Sequence, residues 1–104
     1  MPRNPEAIET VRRRLLRWLD EDEYDFEALR DALDLGVRDL ERHLRHVEKT
    51  LRGRGSKLRV TAPHCRDCGF GFPGRTAKHL HPPGRCPRCR GERIDPPRFR
   101  ATAR

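Results

Sequence analysis

Apolar residues recur at helical spacing through the first half of the chain. Ile8, Val11, Leu15, Trp18 and Leu19 stand 3, 4, 3 and 1 residues apart and share one helix face, with Arg12, Arg13, Arg14 and Arg17 mostly off it. The run Asp20-Glu21-Asp22-Glu23 breaks the pattern and reads as a solvated acidic connector. A short second helix follows, with Phe26, Leu29 and Leu33 inward and Asp25 available as its N-cap. Leu35-Gly36 reads as the turn that ends it, since glycine tolerates the left-handed conformation that closes a helix. A third helix is predicted from about Val37 to Leu51, with Val37, Leu40, Leu44, Val47 and Leu51 inside about 80° of arc.

That third helix carries a second stripe. Arg38, Arg42, Arg45, Lys49 and Arg52 follow one another at 4, 3, 4 and 3 spacing on a different face. An ordinary solvated helix face is the bland explanation. Five cations in one row, without interleaved glutamate for i,i+4 pairing, set DNA or RNA contact ahead of it. Arg52-Gly53-Arg54-Gly55-Ser56-Lys57 is then a flexible basic segment, and Leu58-Arg59-Val60-Thr61 alternates like a short strand. Three helices, a basic turn and a strand follow the order of a winged helix-turn-helix, with the third helix as reader and the basic segment as wing. A simple three-helix bundle is the competing reading.

Composition limits the core. Of 104 residues, 38% are charged, 34% hydrophobic and 6% aromatic, so the few large apolar side chains must be gathered efficiently. No run approaches the ~18 apolar residues of a membrane span, and Met1-Pro2-Arg3-Asn4-Pro5-Glu6 lacks the apolar stretch of a secretory signal. A cytoplasmic protein without membrane contact is expected. Residues 1–50 hold ten Lys/Arg and thirteen Asp/Glu, a net of −3, whereas residues 51–104 hold fourteen and three, a net of +11. The positive half suits a polyanionic partner; a general preference for arginine would produce the same count.

From His64 onward the pattern changes. Cys65-Arg66-Asp67-Cys68 and Cys86-Pro87-Arg88-Cys89 form two C-x-x-C pairs with seventeen residues between them, the spacing of a zinc ribbon. Each pair lets two thiolates bind one ion while backbone N–H groups point at the sulfurs. Gly69 and Gly91 follow the pairs, where such knuckles need relaxed backbone geometry. Disulfides and a C-x-x-C redox centre are the alternatives, disfavoured by a cytosolic setting and by the lack of a βαβ pattern. Four thiolates leave no open coordination position, so Cys65, Cys68, Cys86 and Cys89 are expected to hold one structural Zn2+. Iron is the competing ion, but an electron carrier would shield it with several aromatics, and only three Phe are near. With so few large apolar residues, metal binding supplies this segment's folding free energy.

His64, His79 and His81 read as loop residues, and His43 and His46 as surface residues flanking the basic stripe. No G-x-S-x-G, H-E-x-x-H or P-loop occurs, and the carboxylates cluster in the connector, so neither an enzyme nor a small-molecule substrate is expected.

The chain resembles a small family of predicted prokaryotic transcriptional regulators, in which an N-terminal helix-turn-helix domain is fused to a C-terminal zinc ribbon. The resembling residues are His43-Leu44-Arg45-His46-Val47-Glu48-Lys49-Thr50-Leu51-Arg52, Cys65-Arg66-Asp67-Cys68-Gly69-Phe70, Arg85-Cys86-Pro87-Arg88-Cys89 and Ile94-Asp95-Pro96-Pro97-Arg98-Phe99. The resemblance implies metal-stabilised DNA binding, a regulatory role, the four cysteines as ligands and the third helix as reader. The expected architecture is α+β, with a winged helix-turn-helix-like domain at 1–61 and a β-rich zinc ribbon at 62–104. Arg38, Arg42 and Arg45 would face the DNA groove, while Lys49, Arg52, Arg54 and Lys57 would neutralise phosphates. Homodimerisation is a further expectation, since helix-turn-helix proteins often bind paired half-sites. The rival functions are a protein-interaction adaptor docking on polymerase, other transcription machinery or ribosome, and a rubredoxin-like iron electron carrier.

Overall fold

The computed structural model describes residues 5–72 and 80–103. Helix α1 (Pro5–Glu21) leads into a two-residue strand, β1 (Tyr24–Asp25), and then into helices α2 (Phe26–Leu33) and α3 (Val37–Gly53). Strands β2 (Ser56–Thr61), β3 (His64–Cys65), β4 (Ile94–Asp95) and β5 (Arg98–Ala103) follow. The expected α+β class holds.

The helical periodicity translates directly into burial. Leu15 and Leu19 of α1 are fully buried, with Val11, Leu16 and Trp18 packed at the margin of the core. Trp18 meets Tyr24 with ring centroids 6.2 Å apart. From α2 come Phe26 and Leu29, and from α3 Leu40, Leu44, Val47 and Leu51. Val37, counted among the apolar stripe, is 37% exposed.

Helix α2 starts as expected, with the Asp25 carboxylate accepting from the Ala28 N–H at 2.8 Å. Its end differs. Asp34 takes the left-handed conformation at φ 53°, ψ 53°, while Gly36 lies at φ −74° as the N-cap of α3. Aspartate tolerates this region better than most residues, so no glycine is required there. The three residues Asp34-Leu35-Gly36 join α2 to α3, and Leu35 folds inward.

The basic segment after α3 is no wing. Residues 52 and 53 belong to the helix, Arg54 and Gly55 make the turn (Gly55 φ 76°), and Lys57 already lies in β2. Two hydrogen bonds hold this turn, from the Arg54 and Gly55 N–H groups to the carbonyls of Leu51 and Arg52.

Strand order in the main sheet is β1-β5-β2, all antiparallel. The central strand comes from the end of the chain. Its register runs from Ser56↔Ala103 to Thr61↔Arg98 on one side, with Tyr24↔Phe99 on the other. Phe99 is fully buried with its ring 6.4 Å from that of Phe26, and the Phe26 N–H donates to the Pro97 carbonyl at 3.0 Å. The expected division at residue 61 falls at the end of β2, and β5, from beyond it, pairs with β2. The cysteine-bearing segment is an insertion between β2 and β5, and 98–103 completes the sheet of the helical half.

A second, two-stranded sheet pairs β3 with β4 in the register His64↔Asp95 and Cys65↔Ile94. Cys65, Phe72 and Cys86 form its small core, flanked by Phe70, Cys68 and Ile94. Leu80, from the same insertion, is fully buried in the main core and so ties the segment to the helices.

Candidate metal centre and basic helix face

Each C-x-x-C pair folds into a hydrogen-bonded knuckle of the same design. In the first, the Gly69 N–H donates to the Cys65 carbonyl at 2.9 Å and the Cys65 N–H to the Phe70 carbonyl at 2.8 Å. In the second, the Arg90 N–H donates to the Cys86 carbonyl at 2.8 Å and the Cys86 N–H to the Gly91 carbonyl at 2.9 Å. The residue after each pair is left-handed, Gly69 at φ 77° and Arg90 at φ 63°. Gly91, expected to relax the second knuckle, has another role. A Cβ there would stand 2.5 Å from Asp67 Oδ2 and 3.2 Å from Cys89 Sγ, so a side chain would force the Asp67 carboxylate to move.

The knuckles face one another. All four Sγ atoms lie within 4.8 Å, with Cys65–Cys89 and Cys68–Cys86 each at 3.6 Å. A zinc tetrahedron with Zn–S near 2.3 Å has sulfur–sulfur edges of about 3.8 Å, whereas a disulfide would need about 2.05 Å. All four cysteines are free of disulfide bonding.

Full ionisation of the four sulfurs calls for a cation among them. Burial pushes the Cys86 thiol up, but the N–H groups of Cys89 and Arg88 outweigh it and bring the group down to about 7. Cys89 receives the Gly91 N–H, yet the neighbouring thiols, Cys65 foremost, push it up to about 12. Four sulfurs this close cannot all ionise by themselves, and a divalent ion among them removes the repulsion. The donor set fits one structural Zn2+, with no ligand position left for substrate or water.

Salt bridges brace the two knuckles across the site. Asp67, inside the first pair, accepts from Arg93, whose Nε stands at 2.8 Å. Asp95 accepts from Arg66 and from His64 Nε2, the latter at 2.7 Å. His64 is thus a β3 residue pairing with a carboxylate. His81 reaches α3, where its Nδ1 lies 2.7 Å from Glu41 Oε2. Glu41 resists burial's upward push and is held below its ordinary range by that contact and by Arg45. His79 lies outside the described residues. The sequence reading gave none of these residues a bracing role, although Asp67 within the knuckle and Asp95 in β4 are the segment's two aspartates.

Residues 62–104 match the family model of the PF0610 rubredoxin-like zinc beta-ribbon domain. The segment is a zinc ribbon. The chain as a whole is similar to the solution structure of protein PF0610 from Pyrococcus furiosus, at 29% identity and a TM-score of 0.75, over 92% of this chain and 91% of that one. No curated protein matches. Neither description names an activity, and the expected kinship with helix-turn-helix regulators gains no support from them. Among the described residues no helix is long and apolar enough to cross a membrane.

Outside the ribbon, Arg38, Arg42, Arg45, Lys49, Arg52, Arg54 and Lys57 are all exposed. The first five share the outer face of α3, Arg54 stands in the turn and Lys57 on β2. Acidic partners for the row do exist. Arg42 pairs with Asp39 at 3.7 Å, Arg45 with Glu41 at 3.6 Å, and Arg52 holds Glu48 through two hydrogen bonds of 2.7 and 2.8 Å. The carboxylates sit on the flanks of the stripe within i+3 and i+4 reach. Arg38 and Lys49 have no carboxylate within ion-pair distance among the described residues.

His43 departs from expectation too. It is 3% exposed, packed between α3 and α1, with its Nδ1 accepting from Arg12 Nε at 3.3 Å. Burial, and then the Arg12 charge, lower its pKa from the ordinary 6.5.

Proposed function

We propose that this is a non-catalytic, zinc-stabilised DNA-binding protein acting in transcriptional regulation, with α3 as the reading helix. One observation carries it: α3 follows α2 after three residues, buries one face in the core and turns a row of five cations to solvent. A short-turned helix pair backed by an antiparallel hairpin supports a helix-turn-helix plan. In that plan the ribbon stands in the β2–β5 connection, where a wing would project. Arg38, Arg42 and Arg45 face the groove, and Lys49, Arg52, Arg54 and Lys57 neutralise phosphates. The ion pairs to Asp39, Glu41 and Glu48 are surface pairs worth about 0.2–1 kcal/mol each, which phosphate can displace.

Binding of the zinc-loaded protein to duplex DNA across a salt series tests this. Four phosphate contacts give a slope of about −3.6 in log K against log salt, and Arg42→Glu/Arg45→Glu, which sets negative charge beside them, flattens it. An undiminished slope in the double variant moves the contact to the basic second half. No binding at low salt overturns the reading in favour of a protein-interaction adaptor docking through the ribbon.

A further inference from the structure

A groove of about 450 Å3 lies where α1 packs on α3, lined by residues of those two helices and of the turn after α3. Ile8 and Leu16 give it apolar surface, and Arg12, His46, Thr50 and Arg54 give it polar groups. Glu9 and Arg13 also line it but hold each other at 2.6 Å, which cancels their charges. Arg12 and Arg54 have no carboxylate within ion-pair distance among the described residues. The bond from Arg12 Nε to His43 anchors that guanidinium and leaves its terminal nitrogens to donate elsewhere. The local cation excess is felt by His46, whose pKa is lowered by burial and then by Arg12 and Lys49.

Two guanidinium groups without a carboxylate partner among the described residues, beside an apolar wall, define a chemistry. Guanidinium forks match carboxylates bidentately, and a site of this volume lies within the ~300–1,000 Å3 typical for small molecules. From Ile8 to Leu16 the wall runs about 12 Å along α1, too short to seat a long partner helix. We propose that this groove binds a small amphiphilic carboxylate, its head held by Arg12 and Arg54 and its apolar body laid along Ile8 and Leu16. The inference shares Arg54 with the proposed DNA contact but does not rest on it, and it is tested without nucleic acid.

The test is calorimetric titration of the zinc-loaded full chain with octanoate, hexanoate and inorganic phosphate. Octanoate is expected to bind saturably at one site, and each methylene removed weakens it by up to about fourfold. Arg54→Gln, at an exposed turn position, weakens it about tenfold. Ile8→Ser, at a half-buried position, weakens octanoate while sparing the small remaining affinity for phosphate. Absence of saturable octanoate binding overturns the proposal, as do equal affinities for octanoate and hexanoate. So does phosphate matching octanoate, which would make the groove a simple anion contact, or both variants binding like wild type.

Discussion

Gly91 and Arg90 occupy adjacent positions in the second knuckle and meet opposite constraints. Space excludes a side chain at Gly91, where a Cβ would press on Asp67 and Cys89. Conformation is the constraint at Arg90, whose φ of 63° disfavours β-branched residues. Gly91→Ala is accordingly expected to weaken zinc retention in a competition titration with a chelator, whereas Arg90→Gly leaves it unchanged. Loss of zinc affinity from the second substitution and not the first would reverse this assignment. The sequence showed glycines after both pairs but not which residue turns left-handed. His43 is a second residue-scale case, since its fate depended on Arg12, thirty-one positions away. With a folded pKa below 6.5, the unfolded chain takes up a proton first as pH falls. The stability from neutral His43 is therefore complete above about pH 6.5 and lost as pH falls toward the folded value. Arg12, Arg42 and His46 disfavour the charged ring, and Asp39 alone favours it. His43→Leu should show a shallower fall in Tm between about pH 7 and 5 than wild type, both zinc-loaded. Equal slopes would show that His43 does not titrate in that range.

At the scale of elements, the local signals were sound wherever the partner lay within one or two turns. Asp25 caps α2 as its position promised, and Asp25→Ala should lower stability by about 1 kcal/mol in urea unfolding. The apolar stripes of α1 and α3 became the core for the same reason, because periodicity alone decides which face must leave water. Charge pairing on α3 was less legible. Asp39, Glu41 and Glu48 were visible, but whether side chains from flanking positions reach the basic row is settled by rotamers and by what else packs nearby. His81, from the ribbon, shares Glu41 with Arg45. If α3 contacts DNA, Glu48→Gln frees Arg52 and should tighten binding by up to about fivefold at low salt. Unchanged affinity would place Arg52 outside the contact.

Across the whole molecule, the ribbon is an insertion and not an appendage, and this changes what its metal holds together. Strands β2 and β5 pair only if the intervening residues 62–97 bring them back into register. The ion shortens that loop by clamping its middle, and Leu80 and the His81–Glu41 contact fasten it to the helices. Zinc removal is expected to lower the Tm reported by Trp18 fluorescence, in the helical half, as well as that reported by the ribbon. Two independent transitions, with Trp18 indifferent to chelation, would count against this coupling. A fragment of residues 1–61 lacks the central strand and the buried Phe99, and should remain largely unfolded by circular dichroism. A cooperative melt of that fragment would show that the helical half folds without β5.

The sequence by itself determined the features whose physical cause is local. Four cysteines at ligand spacing specify a closed metal site through coordination chemistry, and helix faces follow from a 3.6-residue period. Only the tertiary structure decided the features that join distant stretches. The return of Arg98–Ala103 to the centre of the sheet left no local mark, because a six-residue strand takes its identity from its neighbours' open hydrogen-bonding edges. The two-residue β1 exists only because β5 lies beside it. Burial of His43 and the flanking carboxylates of the basic row likewise depend on which elements pack together, a consequence of the whole core being formed at once.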